Sequence, residues 1–250
     1  MVAAIAEYGD HEPNEYKQNK TIERVLEALI FYTETWPLET DDIQPYFVGK
    51  KPAVEFTFSI PLPIQHPVTG QQILYAGRYD LLGMYKGGSL IGVDDKTASQ
   101  LGASWATGWN LRGQFTGYTW ATREYGLPCI GIMVRGVSFL KTKFGNQDSL
   151  QLRDDGMVNS WYEQMLHDVK QMVEAYKAGW FSQNFSDSCA AYGGCPMQTT
   201  CTTLEPEAWL ESNFQRRVWN PLEKHPTKEK GEAVVEEFVA LPEGIRTSVS

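Results

Sequence analysis

The chain has no run approaching the ~20 apolar residues that a membrane-spanning helix needs. Its opening, Met1-Val2-Ala3-Ala4-Ile5-Ala6-Glu7-Tyr8, has neither a basic leader nor an apolar segment long enough for a secretory signal. The expectation is a cytoplasmic protein with no membrane partner. Cysteine is scarce, four in 250 residues, and in a reducing compartment these read as thiols or metal ligands rather than disulfides. Positive charge is in deficit: 22 Lys and Arg against 31 Asp and Glu leave a net charge of -9. That excludes a surface that is basic all over, the usual footprint of a nucleic-acid binder, but leaves room for a local basic groove. Internal repeats and low-complexity tracts are also lacking. What is present is a 42% hydrophobic, 12% aromatic composition, in a length that can bury about 70–75% of its unfolded surface in one core. A single elaborated globular domain is expected.

Residues 19–35 carry Ile22, Val25, Leu26, Leu29 and Ile30 at helical spacing with Pro37 just beyond, which predicts a helix. Val54 to Ile60 alternates as a strand does, with Glu55 inside it and Pro61, Pro63 and Pro67 predicting its end. Gln72 to Tyr85 and Leu90 to Lys96 read as an antiparallel hairpin turned at Gly87-Gly88-Ser89. Ala103 to Tyr125 fits one long aromatic-rich helix, weakened by Gly108, Gly113 and Gly117. Ile130 to Lys141 reads as a buried strand, partnered by Asp148 to Arg153 across a Gly145-Asn146 turn. Val158 to Ala178 reads as an amphipathic helix closed by Gly179, and a further helix begins near Pro206. The chain divides into an N-terminal helical segment (1–52), a core (53–185), a cysteine-containing extension (186–221) and a charge-rich tail (222–250).

The stretch Gly92-Val93-Asp94-Asp95-Lys96-Thr97 conflicts with a purely structural strand. Two acids and a lysine leave the apolar run Leu90-Ile91-Gly92-Val93, and a desolvated charge is costly unless something pairs with it. Alternate strand residues share a face, so Asp94 and Lys96 point together while Asp95 points the other way. A Gly87-Gly88-Ser89 loop pairs Lys86 with Leu90 and sets Asp80 opposite Lys96, on the face of Asp94. Two carboxylates beside a lysine make a hard oxygen site suited to Mg²⁺ or Mn²⁺, completed by water and substrate phosphate. Gln114 and Tyr118, one helical turn apart, also share a face.

Glu55, Gly77-Arg78-Tyr79-Asp80, Asp94-Asp95-Lys96-Thr97 and Gln114 to Tyr118, in this order and spacing, resemble the PD-(D/E)xK nuclease superfamily, and within it the RecB-like exonuclease branch. The resemblance spans residues 53–202 and implies an α/β, restriction-endonuclease-like fold: a mixed sheet flanked by helices, with a cysteine-containing C-terminal extension. It implies a Mg²⁺-dependent deoxyribonuclease, exonuclease-like, that hydrolyses DNA in recombination, repair or phage replication, with a recombination or replication protein as a further partner. By the same resemblance Asp80 and Asp94 are metal ligands, the Asp95 carbonyl is a further one, and Lys96 positions or activates the attacking water. Glu55 matches an upstream acid that approaches the metal, although it reads equally as a solvated strand acid. Gln114 and Tyr118 match a Q-x-x-x-Y pair that faces the site and touches the DNA backbone. Phosphodiester hydrolysis calls for these parts: an oriented water, a cation on the reacting oxygens and a positive group near the developing charge. A rival from another class is a non-catalytic nucleic-acid-binding or assembly subunit that keeps the fold.

Cys189, Cys195 and Cys201 repeat a five-residue gap, with Gly193, Gly194 and Pro196 shaping a tight loop. Three thiolates so spaced suggest a soft-metal site, [4Fe–4S] or zinc, and AddB-type members of the branch hold such a cluster with terminal cysteines. Their fourth cysteine lies upstream of the active site, where this chain has none. Cys129 opens an apolar strand and reads as a core thiol. His11 is the one histidine before Glu55, in surroundings unlike the family's upstream metal-binding histidine. The expectation is that the family's N-terminal segment is missing.

Overall fold

The structure is a computed structural model that describes residues 21–140, 142–183, 189–190 and 194–215. The 222–250 tail, His11 and part of the cysteine segment lie outside the described residues.

The described chain begins with α1 (Ile22–Thr35), capped by the Thr21 hydroxyl, which accepts from the Arg24 amide at 3.3 Å. Strands β1 (Ile43–Pro45), β2 (Phe47–Val48) and β3 (Lys51–Pro52) follow, then the long strands β4 (Val54–Gln65), β5 (Gln72–Tyr85) and β6 (Ser89–Ala98). Two helices, α2 (Ala103–Thr107) and α3 (Gly113–Glu124), lead to β7 (Cys129–Phe139) and β8 (Phe144–Leu152). The helices α4 (Asp155–Ala178), α5 (Gln198–Thr202) and α6 (Pro206–Asn213) complete it. The result is an α/β arrangement in which one mixed six-stranded sheet, ordered β1-β5-β6-β7-β8 with β4 also on β5, is flanked by helices. No described helix is long and apolar enough to cross a membrane. Among the described residues, those within Met1–Ile60 and Leu74–Met165 form one compact unit, and those within Pro61–Ile73 and Leu166–Glu229 a second.

β6 lies between antiparallel β5 and parallel β7, with Asp94 across from Val134 and Asp95 across from Arg135. A parallel partner requires a crossover, and α2 and α3 supply it. Being covered on both faces, β6 reads as the continuous buried run Leu90-Ile91-Gly92-Val93-Asp94. On one face Ile91, Val93 and Met133 pack with Ile43; on the other, Ile132 and Val134 pack with Phe115 of α3 and, more loosely, Trp105 and Trp109. Trp120 is buried, and so is Cys129, as its reading as a core thiol expects. α3 lies close to its neighbours because Gly117 has no side chain: a Cβ there would stand 2.7 Å from the Trp161 ring.

Several boundaries differ from expectation. The hairpin turn is Lys86-Gly87-Gly88, and Tyr85 pairs with Ser89; Lys86 and Gly87 both have positive φ, 49° and 68°, so Lys86 cannot continue the strand. β4 runs on through Pro61 and Pro63. Both prolines alternate with the buried Ile60, Leu62 and Ile64, and β4 pairs with β5 alone, which leaves an edge where missing amides break no ladder. The single long helix is two, because the Trp109 carbonyl that would bond the next turn is taken by the Arg112 amide at 3.1 Å and the Arg153 guanidinium at 3.0 Å. The β7–β8 turn precedes Phe144, and Gly145-Asn146 lies within β8. Residues 1–52, expected as helical, also contribute β1 to the main sheet.

Candidate active site

The two-residue shift in the hairpin register preserves side-chain parity, so the expected sharing of a face survives the wrong turn. Paired Cα positions end at Leu81 and Val93. Beyond them the Asp80 carboxylate accepts a hydrogen bond from the Asp95 amide at 3.0 Å. Asp94 is 3% exposed. Its Oδ2 contacts the Lys96 ammonium as an ion pair but receives no hydrogen bond, and its Oδ1 accepts from Gln114 Nε2 at 3.4 Å. Burial pushes the Asp94 carboxyl above the usual carboxylate range; Lys96 opposes this strongly and Arg112 weakly, while repulsion from Asp80 adds to it.

α3 delivers the other half of the site. Gln114 also donates to the Tyr118 hydroxyl at 3.1 Å, and that hydroxyl donates to the Arg78 carbonyl at 2.7 Å. Burial raises the Tyr118 hydroxyl's pKa, with the negative charges of Asp94 and Asp80 contributing. Asp80, Asp94, Lys96, Gln114 and Tyr118 therefore meet at the end of β6 under the first turns of α3.

Asp95 points to the opposite face. Both of its oxygens accept from the Tyr32 hydroxyl of α1 at 3.2 Å. Its carboxyl is pushed up to about 6, chiefly by burial, and Tyr32 is pushed up to about 12 for the same reason. Beside it Arg135 Nη2 donates to both Asp41 carboxylate oxygens, at 2.6 and 2.5 Å, with both side chains buried. The Arg135 guanidinium lies 5.1 Å from the Trp36 ring, whose Nε1 donates to Asp148 at 3.3 Å.

Glu55 stands apart from the carboxylates: it is exposed, has φ +50°, and forms a 3.2 Å ion pair with Arg78. The Cys195 amide donates to the Cys189 carbonyl at 2.8 Å, and Cys201 lies in α5. Among the described residues no group of three or more His, Cys, Asp or Glu is gathered as a metal site. A hard divalent cation does fit the carboxylates. Mg²⁺ takes one or two protein carboxylates and completes its shell with water and substrate, and Asp80 and Asp94 offer two, the buried Asp94 Oδ2 being held against the Lys96 ammonium.

Tyr32, Arg112 and the Asp41–Arg135 pair are components that the motif pattern did not reveal. Arg135 carries the signal that marked Asp94, a charge inside the apolar run Ile130 to Phe139. Arg112 stands two residues ahead of Gln114; Tyr32 has no sequence signal beyond its place in the first helix.

No family model matches the chain, and neither does any curated protein. Among solved structures, the crystal structure of SSO0001 aligns with 66% of this chain and 70% of that chain at 12% identity, with a TM-score of 0.30. A likeness that slight carries no argument about fold or function.

Proposed function

We propose that this chain is a Mg²⁺-dependent DNA nuclease of restriction-endonuclease-like fold, exonuclease-like in action and serving recombination, repair or phage replication. The observation that carries the reading is the convergence of Asp80, Asp94 and Lys96 beneath Gln114 and Tyr118, residues drawn from two strands and a crossover helix. Asp80 and Asp94 would hold the cation, which when bound supplies charge neutralisation on the phosphate and a more acidic water. Lys96 stands against Asp94, where its ammonium can orient a water and offset charge developing on the phosphate oxygens. The Asp95 amide fixes the Asp80 carboxylate, and the Gln114–Tyr118–Arg78 chain of hydrogen bonds fixes the α3 side of the site. Asp94 at 3% exposure keeps competing water from one of its oxygens.

The test is incubation of the purified full chain with end-labelled linear DNA and with circular DNA, with and without Mg²⁺. Release of end label from linear DNA only in Mg²⁺, with circles left intact, is the expected result. Cleavage without added metal and in the presence of a chelator overturns the metal-dependent reading; nicking of circles overturns the exonuclease one. Metal-dependent binding without cleavage makes the chain a non-catalytic subunit.

A further inference from the structure

Arg112 opens α3 two residues ahead of Gln114. Its backbone is fixed on both sides: the amide donates to the Trp109 carbonyl at 3.1 Å, and the carbonyl accepts from the Phe115 and Thr116 amides at 3.1 and 3.4 Å. Arg153, 3% exposed, clamps the same turn to β8 by donating to the Trp109 carbonyl at 3.0 Å and the Thr116 hydroxyl at 2.9 Å.

The Arg112 side chain has the opposite character. It is exposed, beside a Leu111 that is 87% exposed. Among the described residues, Arg24, Arg78, Arg123 and Arg135 each pair with a carboxylate. Arg153 is spent on carbonyls and a hydroxyl. Arg112 is the one arginine among them whose side chain has neither a hydrogen bond nor an ion pair. Its charge is nevertheless felt at Asp94. Lys96 and Gln114 already occupy that carboxylate, so the guanidinium is left unspent at the rim of the site, on a rigid mount.

We propose that Arg112 binds a phosphate of the polynucleotide strand next to the one cleaved, and so sets the register of the strand in the site. The inference rests on the nuclease reading. A guanidinium offers phosphate oxygens two parallel N–H donors in a fixed fork. A fixed backbone lowers the entropy cost of holding the fork in place.

The test uses the full chain with Ca²⁺ in place of Mg²⁺, reading the anisotropy of labelled single-stranded and duplex DNA over about 50 to 200 mM salt. Arg112→Ala should bind about five- to tenfold more weakly and lose about 0.7–0.9 from the magnitude of the log–log salt slope, the share of one phosphate. Arg112→Lys should keep the slope, because it keeps the charge, while binding more weakly than wild type. In Mg²⁺ the loss for Arg112→Ala should fall on KM, as it does when binding is removed equally from ground and transition states. Wild-type affinity and slope in Arg112→Ala overturn the inference alone. So does a loss confined to kcat, which would make Arg112 a catalytic group. A wild-type chain that binds no DNA overturns the nuclease reading, and the inference with it.

Discussion

Asp94 and Asp95 are chemically identical, adjacent in one strand, and raised in pKa by burial, yet the two faces of β6 treat them differently. On the α1 face each acid has a hydrogen-bond donor, Tyr32 for Asp95, Arg135 for Asp41 and Trp36 for Asp148, although the buried Arg135 Nε has no acceptor. On the α3 face the accounts are left open. Asp94 Oδ2 is held against the Lys96 ammonium, and the Arg112 guanidinium has neither a hydrogen bond nor an ion pair among the described residues. A buried ion pair such as Asp41–Arg135 holds structure together and punishes removal of either member. The open face retains capacity for a cation and a phosphate. Burial and charge alone do not separate a structural acid from a functional one; the groups that face each acid have to be weighed as well.

The comparison can be broken most forcefully on the closed face. Arg135→Ala leaves Asp41 buried without its cation and should cost about 3–5 kcal/mol of unfolding free energy, the range for breaking a buried pair. Denaturant titration reads it; a loss below about 1 kcal/mol would show that the α1 face is not closed in the sense used here. On the open face, Asp94→Asn or Asp80→Asn should leave the denaturation midpoint nearly unchanged while cleavage falls about 10²–10³-fold or more. Single-turnover assays on the same preparations give both readouts, and a midpoint that collapses with Asp94→Asn would make Asp94 a structural acid after all.

Lys96→Ala should produce a smaller and more selective change. Cleavage should fall by ~10²-fold while Ca²⁺-dependent DNA binding stays within about tenfold, because the ammonium acts chiefly in the transition state. Parallel loss of binding and cleavage would reduce Lys96 to an ion-pair partner of Asp94.

The smallest expected effect is the pH dependence of the metal-free protein. Asp95 titrates at about 6 in the fold, against roughly 3.9 in an unfolded chain. Between those values the native state binds more protons than the unfolded one, so stability is highest at the acid end and falls as pH rises through that window. Asp148, raised by burial in the same way, acts in the same direction. Thermal melts in chelator from about pH 4 to 6.5 should show the decline, and Asp95→Asn should flatten it.

The sequence made the α3 face legible because its residues lie on periodic elements. Strand parity placed Asp94 and Lys96 together and helix spacing placed Gln114 with Tyr118. Even a misplaced turn left Asp80 on the right face, since an error of two residues does not change parity. The α1 face was illegible because Tyr32, Asp41 and Arg135 are separated along the chain and meet only through tertiary packing. Local propensity misjudged β4 and the crossover helix for the same reason: an unpaired edge excuses Pro61 and Pro63, and Arg153, distant in sequence, claims the carbonyl that would have continued α2. Glu55 fitted the pattern by spacing, but its positive φ leaves both it and Val54 exposed, out of the strand's alternation.

The crossover through α2 and α3 also has a kinetic consequence. Asp80, Asp94, Lys96, Gln114 and Tyr118 fall within one short stretch of chain, joined by a tight hairpin and a single crossover, so their contacts close small loops at small entropic cost. The closed face instead has to bring Asp41 to Arg135 and Trp36 to Asp148 across most of the sheet, and such non-local contacts form slowly. During refolding the open face should gain its native contacts first and wait, with Asp94 already in place, for the network on the far side of the strand to lock.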